Sequence, residues 1–247
     1  MVFPAHTLFY NMTLKKSIIT DKKYGRIEIT RNPRARRIIM RVKEGCICIT
    51  LPVIASEKEV EKILDKYGDR LLIQKNRQPQ RKIDFEYSID ADNFSLRLFP
   101  GNNNRFQIKR EDERRFTLIC PADCDFTDAK TNEFLRKVIK SVMRKRAKEV
   151  LPVRLTYLAK EHGFSFMDIK VRDSHTRWGS CSNKGNINLS IYLMMLRNEL
   201  IDYVLLHELC HTKEMNHSNS FWKLLDSVTA SRAKALRAEL KRHHTTF

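Results

Sequence analysis

The sequence has no long apolar run. None of its segments approaches the roughly 18 consecutive apolar residues that a membrane-spanning helix needs, and the two most apolar pieces, LSIYLMML and YVLLHELC, are short. The first residues, MVFPAHTLFYNMTLKK, lack the basic start and the small-residue cleavage pattern of a secretory signal. We therefore expect a cytoplasmic protein that does not enter a membrane.

A disulfide framework is also missing. The six cysteines are scattered along 247 residues, and a chain of this length can bury its own core without disulfide bridges. Cys46 and Cys48 alternate in CICIT as on one face of a strand, and CPADC has the wrong spacing for a zinc knuckle. We expect reduced thiols in a folded protein, because no low-complexity tract is present.

Acidic residues are in short supply. The chain has 47 Lys and Arg against 29 Asp and Glu, which gives a formal charge of +18. Such a charge attracts polyanions or anionic small molecules, so a nucleic acid or a nucleotide is one predicted partner. The alternative is a basic surface without a specific ligand. Nothing in the sequence indicates the oligomeric state.

Short strands precede long helices along the chain. RIEIT, RRIIMRV and CICITL read as strands, and a capping box at Ser56 opens a helix predicted over about 56–74. FSLRLF, RFQIKR and RFTLIC form a second meander, after which the apolar residues recur at helical spacing. We predict an α+β protein with a strand-rich domain over 1–125 and a helical domain with a small sheet over 126–247.

The segment HELCHTKEMNH places polar groups in an apolar helix. His207 and His211 are four residues apart and so lie on one helical face, where both can reach one metal ion. Glu208 is rotated by about 100° and can contact a metal-bound water. This is the HExxH pattern of zinc hydrolases. Without a cation, the apolar neighbours would bury Glu208 and the imidazoles at a cost of several kcal/mol.

A catalytic zinc site needs a third protein ligand and one open position. We predict His217, because Met215 and Asn216 should end the helix and turn the chain back. Asp226 and Glu239 are the alternatives. With zinc held in this way, the pKa of a bound water would fall to about 7. Glu208 would take its proton as general base and return it to the leaving group as general acid.

These residues carry a resemblance to a known family. RWGSCSNKGNINLSIYL followed by IDYVLLHELCHTKEMNHSNSFW resembles the YgjP-like zinc metallopeptidases, most densely from Ile169 to Trp222 and more weakly over the N-terminal strands and helix. The resemblance implies a minimal zincin-like catalytic domain, related to the SprT-like and WLM proteases, some of which act on proteins crosslinked to DNA. Related zincins often have Gly three residues after the second His; at that position this chain has Glu214.

The resemblance also implies roles around the metal. It implies zinc at His207, His211 and His217 and catalysis by Glu208. By similarity to zincins, NINLSIYL would be the edge strand that pairs with an extended peptide substrate; a plain core strand is the alternative. Trp178 and Gly179 are expected in a tight turn under the cleft. Three residues are candidates for substrate or oxyanion contacts: His175, Arg177 and Asn188.

Three functions compete at this stage. The leading one is a zinc-dependent peptidase acting on peptides or proteins. The second is a zinc-dependent hydrolase of nucleotide phosphoanhydrides, whose phosphates would be bound by nearby cations: Arg172, His175, Arg177 and Lys184. The third is a nucleic-acid-associated protein with auxiliary protease activity, binding phosphates through a basic N-terminal meander: Arg31, Arg34, Arg36, Arg37 and Arg41.

Overall fold

The computed structural model describes residues 15–43, 46–77 and 82–245, so most of the N-terminal segment considered above lies outside the described residues. The chain forms two compact units, Met1–Gln80 and Arg81–Phe247. Both contain strands and helices, as expected for the predicted α+β class. No described helix is both long enough and apolar enough to span a bilayer.

The first unit is a four-stranded sheet followed by one helix. Its elements are β1 (Lys15–Asp21), β2 (Gly25–Arg31), β3 (Ile39–Lys43), β4 (Cys46–Leu51) and α1 (Glu57–Arg77). The strand order is β1-β2-β4-β3, with β2 and β4 parallel and the outer pairs antiparallel. The predicted capping box forms, since Ser56 N donates to Glu59 Oε2 at 2.8 Å and Glu59 N donates to Ser56 Oγ at 3.3 Å.

The second unit begins with another four-stranded sheet. Its strands are β5 (Ser88–Ala91), β6 (Phe94–Gly101), β7 (Gln107–Arg110) and β8 (Arg115–Pro121). The order β5-β6-β8-β7, with a parallel central pair, repeats the arrangement of the first sheet. A helix again follows the fourth strand. This repeat of four strands and a helix is not evident in the residue pattern of the sequence.

The rest of the second unit contains the helices and a small sheet. These elements are α2 (Ala129–Glu161), β9 (Asp168–Arg172), β10 (Gly179–Cys181), β11 (Asn186–Ser190), a 3-10 helix (Ile191–Met195), α3 (Asn198–Cys210), α4 (Asn219–Val228) and α5 (Ala233–Leu240). A single apolar core joins the sheet of β5–β8 to these helices, with Leu96, Leu118, Leu135 and Leu205 all fully buried in it. The division of the chain therefore lies at Gln80, and not near Cys124 as the change in pattern suggested.

The small sheet corrects one expectation directly. Its strand order is β10-β11-β9, with β10 antiparallel and β9 parallel to β11. NINLSIYL thus supplies the central strand β11 and the following 3-10 helix, and it is not an edge strand. The reason is backbone pairing, since one side of β11 pairs with β10 and the other with β9, while Ile187 and Leu189 are buried in the core. The described edge strand on the α3 side is β10.

Candidate metal centre and its surroundings

Two helices and the turn between them bring three histidines together. His207 lies in the last turn of α3, His211 caps the end of that helix, and His217 precedes Ser218, the N-cap of α4. The turn after α3 is closed by backbone bonds from Lys213 N and Glu214 N to the carbonyl of residue 210 at 3.0 and 2.8 Å. Glu214, at the position where related zincins often have glycine, thus fits into a hydrogen-bonded turn.

The nitrogen spacing fits a tetrahedral metal ion. His207 Nε2 lies 3.2 Å from His211 Nε2 and 3.1 Å from His217 Nε2. Zinc–nitrogen bonds of about 2.0–2.1 Å at tetrahedral angles hold ligand nitrogens roughly 3.3 Å apart. Among the described residues, these three histidines form the one group whose donor atoms all lie within 4.8 Å of one another. The donor set therefore suits zinc.

The protonation states also suit a metal. His211 Nδ1 lies 3.0 Å from the carbonyl oxygen of Glu214, so an Nδ1–H donated there leaves the Nε2 lone pair free for a cation. Burial, followed by the charges of His211, His217 and Arg237, lowers the pKa of His207 to about 3. Burial, His211 and Arg237 also lower the pKa of His217. Neutral imidazoles are the ligand form.

Aromatic rings fix the orientation of the imidazoles. Phe221 of α4 is fully buried, and its ring stacks on that of His211 with centroids 4.5 Å apart. The Phe221 ring also meets His207 and His217 edge-on at 4.9 and 4.8 Å. Because each ring has the same apolar neighbour, α4 limits the movement of all three ligands.

Glu208 is buried next to a glycine. Its side chain is 5% exposed, and burial raises its pKa to about 8, opposed by the positive charge of Arg177. A Cβ atom placed on Gly179 would lie 2.5 Å from Glu208 Oε1 and 2.7 Å from its Cγ. Gly179 belongs to strand β10 and not to a tight turn. The absence of a side chain there makes room for the carboxylate.

The candidate substrate contacts have different surroundings. Arg177 is exposed and close enough to Glu208 to act on its pKa. Asn188 lies on the central strand β11, opposite Ser180 on β10 and Lys170 on β9. Their roles in substrate binding remain predictions.

His175 belongs to a separate hydrogen-bonded cluster. Its Nε2 lies 2.9 Å from Tyr192 Oη and 3.2 Å from Asp173 Oδ1, and Tyr192 Oη donates to the same carboxylate oxygen at 2.9 Å. His175 Nδ1 lies 3.1 Å from the carbonyl oxygen of Thr245, and Thr245 Oγ1 donates to the carbonyl of His175 at 2.6 Å. These contacts connect the segment near Thr245 to the loop between β9 and β10. A substrate contact by His175 remains a prediction.

The two alternative third ligands are engaged elsewhere. Asp226 Oδ1 accepts a hydrogen bond from Ala233 N at 3.2 Å, at the start of α5. Glu239 Oε2 accepts from Arg197 Nη2 at 2.6 Å. Neither carboxylate belongs to the group of metal-binding atoms found among the described residues.

Sequence reasoning missed two neighbours of the site, Tyr203 and Arg237. The ring of Tyr203 lies 6.0 Å from that of His207, and burial raises the pKa of Tyr203 to about 12. The positive charge of Arg237 acts on both His207 and His217. The helical spacing of α5 marks Leu236 and Leu240 as its apolar side, but it does not show what Arg237 approaches.

Three clustered histidines and a buried glutamate form a candidate metallopeptidase site, and the comparisons give the class of the protein at the level of its family. Residues 36–243 match the family model of the YgjP-like metallopeptidase domain. The chain belongs to the YgjP-like family, as the sequence resemblance predicted. It is a hydrolase of the metallopeptidase class, whose members use a divalent metal, typically zinc. No curated protein matches significantly.

Two solved structures are also similar to parts of the chain. One is the metallopeptidase zymogen abylysin of Pyrococcus abyssi, with 26% identity, 38% of this chain and 93% of that chain covered, and a TM-score of 0.35. The other is the metallopeptidase zymogen jannalysin of Methanocaldococcus jannaschii, with 18% identity, 37% and 94% covered, and a TM-score of 0.34. Because both TM-scores are low, the family assignment rests on the family model.

Proposed function

We propose that this protein is a zinc-dependent peptidase in which His207, His211 and His217 hold the metal and Glu208 moves the proton. The observation that carries this proposal is the convergence of three imidazole nitrogens, 3.1 and 3.2 Å apart along two sides, beside a buried carboxylate. Zinc bound there would supply a Lewis acid that polarises the scissile carbonyl and lowers the pKa of water.

The role of Glu208 follows from its surroundings. Its pKa near 8 in the absence of a metal describes a carboxyl group that burial keeps ready to exchange a proton near neutral pH. Glu208 takes the proton of the attacking water at a carboxylate oxygen and delivers it to the nitrogen of the leaving amine. Arg177 favours the ionised form of Glu208, which accepts the proton from water in the first transfer and is restored by the second.

Strand β10 is the proposed platform for the substrate backbone. Ser190 N donates to Trp178 O at 2.9 Å, and Ser182 N donates to Asn186 O at 3.0 Å. Hydrogen bonding alternates along an antiparallel pair, so the backbone groups of Gly179 and Cys181 point away from β11. An extended peptide can add to this free edge and be held by backbone hydrogen bonds.

The test compares Glu208→Gln with Glu214→Gln. Both changes remove one carboxylate from the same motif, but the side chain of Glu214 has no place in the proposed chemistry. We expect Glu208→Gln to retain zinc, measured by mass spectrometry of the metal, and to lose at least about 100-fold in kcat/KM on unstructured peptides. Glu214→Gln should behave like the parent. A Glu208→Gln protein that cleaves peptides at the parent rate would refute the mechanism.

A second candidate keeps the same site and changes the substrate to a nucleotide phosphoanhydride. The exposed Arg177 beside Glu208 favours it, because cations stabilise a transferring phosphoryl group. Phosphate release from a panel of nucleoside triphosphates, run beside the peptide assay, separates the two.

A nucleic-acid-associated role through the basic meander of the first unit would instead appear as nucleic-acid binding that weakens steeply with salt.

A further inference from the structure

Arg237 stacks on Trp222 next to the metal ligand His217, and it has no acidic partner among the described residues. It lies on α5, and its guanidinium carbon is 5.0 Å from the centre of the Trp222 ring. The Trp222 ring lies 5.9 Å from that of His217 and 5.4 Å from that of Phe221. A stack of guanidinium, indole and imidazole therefore leads from Arg237 to the metal ligands.

Three acidic residues on α3, α4 and α5 are engaged with other groups. Glu239 is paired with Arg197 at 2.6 Å, and Glu199 is paired with Arg232. Asp226 accepts from the backbone of Ala233. Within residues 15–43, 46–77 and 82–245, no ion pair to Arg237 is formed. Its charge is thus left to act on the site itself.

Arg237 is exposed, and through the Trp222 ring it is stacked towards His217. Its positive charge would repel a divalent metal held by the histidines. An anion bound between the metal and Arg237 would offset this repulsion. Stacking on Trp222 holds the guanidinium plane and leaves its N–H edge available, which is the geometry that binds a carboxylate through two parallel hydrogen bonds.

We propose that Arg237, held on Trp222, binds a carboxylate of the substrate close to the scissile bond. Two kinds of carboxylate have this chemistry: the free C-terminus of a short peptide, and an Asp or Glu side chain next to the cleaved bond. This inference rests on the proposed peptidase function and names the substrate class for it. Arg237 acts as a binding residue, while proton transfer remains with Glu208.

The experiment measures binding rather than turnover. Zinc-loaded Glu208→Gln protein is titrated calorimetrically with three peptides of one sequence: a free C-terminus with neutral side chains, the same peptide amidated, and the amidated peptide with one Asp beside the central bond. Each titration is repeated with Arg237→Gln, Arg237→Lys and Lys234→Gln added to the Glu208→Gln background. Lys234 lies on the same helix and is exposed, so its substitution controls for the loss of one charge.

We expect at least one acidic peptide to bind about fivefold more tightly than the amidated neutral peptide, as for an ion pair worth about 1 kcal/mol. Arg237→Gln should abolish this preference, Arg237→Lys should restore part of it, and Lys234→Gln should leave it unchanged. The acidic peptide that shows the preference identifies the source of the carboxylate.

Three results would overturn the proposal in different ways. Equal binding of all three peptides would refute the role of Arg237 and leave the peptidase function standing. Absence of binding by every peptide would count against the peptidase function and against Arg237 together. A preference that survives Arg237→Gln would assign carboxylate recognition to another cation, such as Arg177.

Discussion

Replacing Gly179 by alanine should disable Glu208 without disturbing the metal ligands. The new Cβ would lie 2.5 Å from Glu208 Oε1, 2.7 Å from Cγ and 2.8 Å from Cδ, whereas ordinary contacts begin at 3.4 Å. The carboxylate must therefore shift by roughly 1 Å. A misplacement of about 1 Å can reduce a rate by about 100-fold, which corresponds to about 2.7 kcal/mol in the activation free energy.

The assay combines three measurements on purified Gly179→Ala protein: kcat/KM on a peptide that the parent cleaves, zinc per molecule, and the melting temperature. We expect a kcat/KM about 100-fold below the parent, with zinc content unchanged. Overpacking should lower the free energy of unfolding by about 1–3 kcal/mol. The stability change alone cannot account for the activity loss as long as the protein remains folded at the assay temperature.

Gly163→Ala provides the matched control. Gly163 has a φ of +64° and nothing within 4 Å of the added Cβ. Left-handed strain should lower stability by about 1–2 kcal/mol, while kcat/KM stays at the parent value. The reasoning fails if Gly179→Ala protein keeps the parent kcat/KM. It also fails if activity is lost only because zinc is lost, since the methyl group contacts Glu208.

Three further predictions follow, two on the metal and one on the His175 cluster. His217→Ala should weaken zinc binding by at least about 100-fold, measured by competition with a chelator, while His243→Ala on the exposed chain end should not. In the parent, zinc at about 1,000 times its Kd should add about 4 kcal/mol to the free energy of unfolding, which chelation would remove. Hydrogen bonds from His175 and then Tyr192 lower the pKa of Asp173, against the effect of burial. The contribution of ionised Asp173 to the free energy of unfolding should therefore be complete above about pH 4, the pKa of an unfolded Asp. It should be lost as the pH falls towards the lower pKa of Asp173 in the folded protein. The difference in melting temperature between parent and Asp173→Asn should shrink in acid, whereas Asp123→Asn, at an exposed position, should show no such trend.

Local pattern was sufficient to predict that three histidines close in sequence also lie close together in space. The spacing of His207 and His211 follows from helical geometry, and the prediction of His217 needed only a turn after the helix. The family and the metallopeptidase class were confirmed by the family match. The two inferences about the histidines depend on one helix and the loop that follows it, whereas the family resemblance draws mainly on the longer stretch from Ile169 to Trp222.

The parts that failed depend on pairing between distant segments. NINLSIYL has the same alternation in a central strand as in an edge strand, because side-chain period says nothing about how many neighbours the backbone has. The unit boundary was misplaced for a similar reason: the strands of β5–β8 look like those of β1–β4, but their buried side chains join the core of α2 and α3. Arg237 lies near the candidate site because α5 packs on both α3 and α4, which the sequence pattern does not show.

Strand β10 contributes to both substrate binding and the position of the base in the proposed mechanism. On β10, the backbone groups of Gly179 face the free edge, while its Cα hydrogen faces Glu208. Cys181 repeats this orientation two residues later, and burial followed by the charge of Glu208 raises its pKa to about 11. A peptide added to this edge would therefore be aligned by the strand that leaves space for the carboxylate. A side chain at position 179 would move the proposed base away from the bond that the strand would present to it, so we expect only glycine to support activity there.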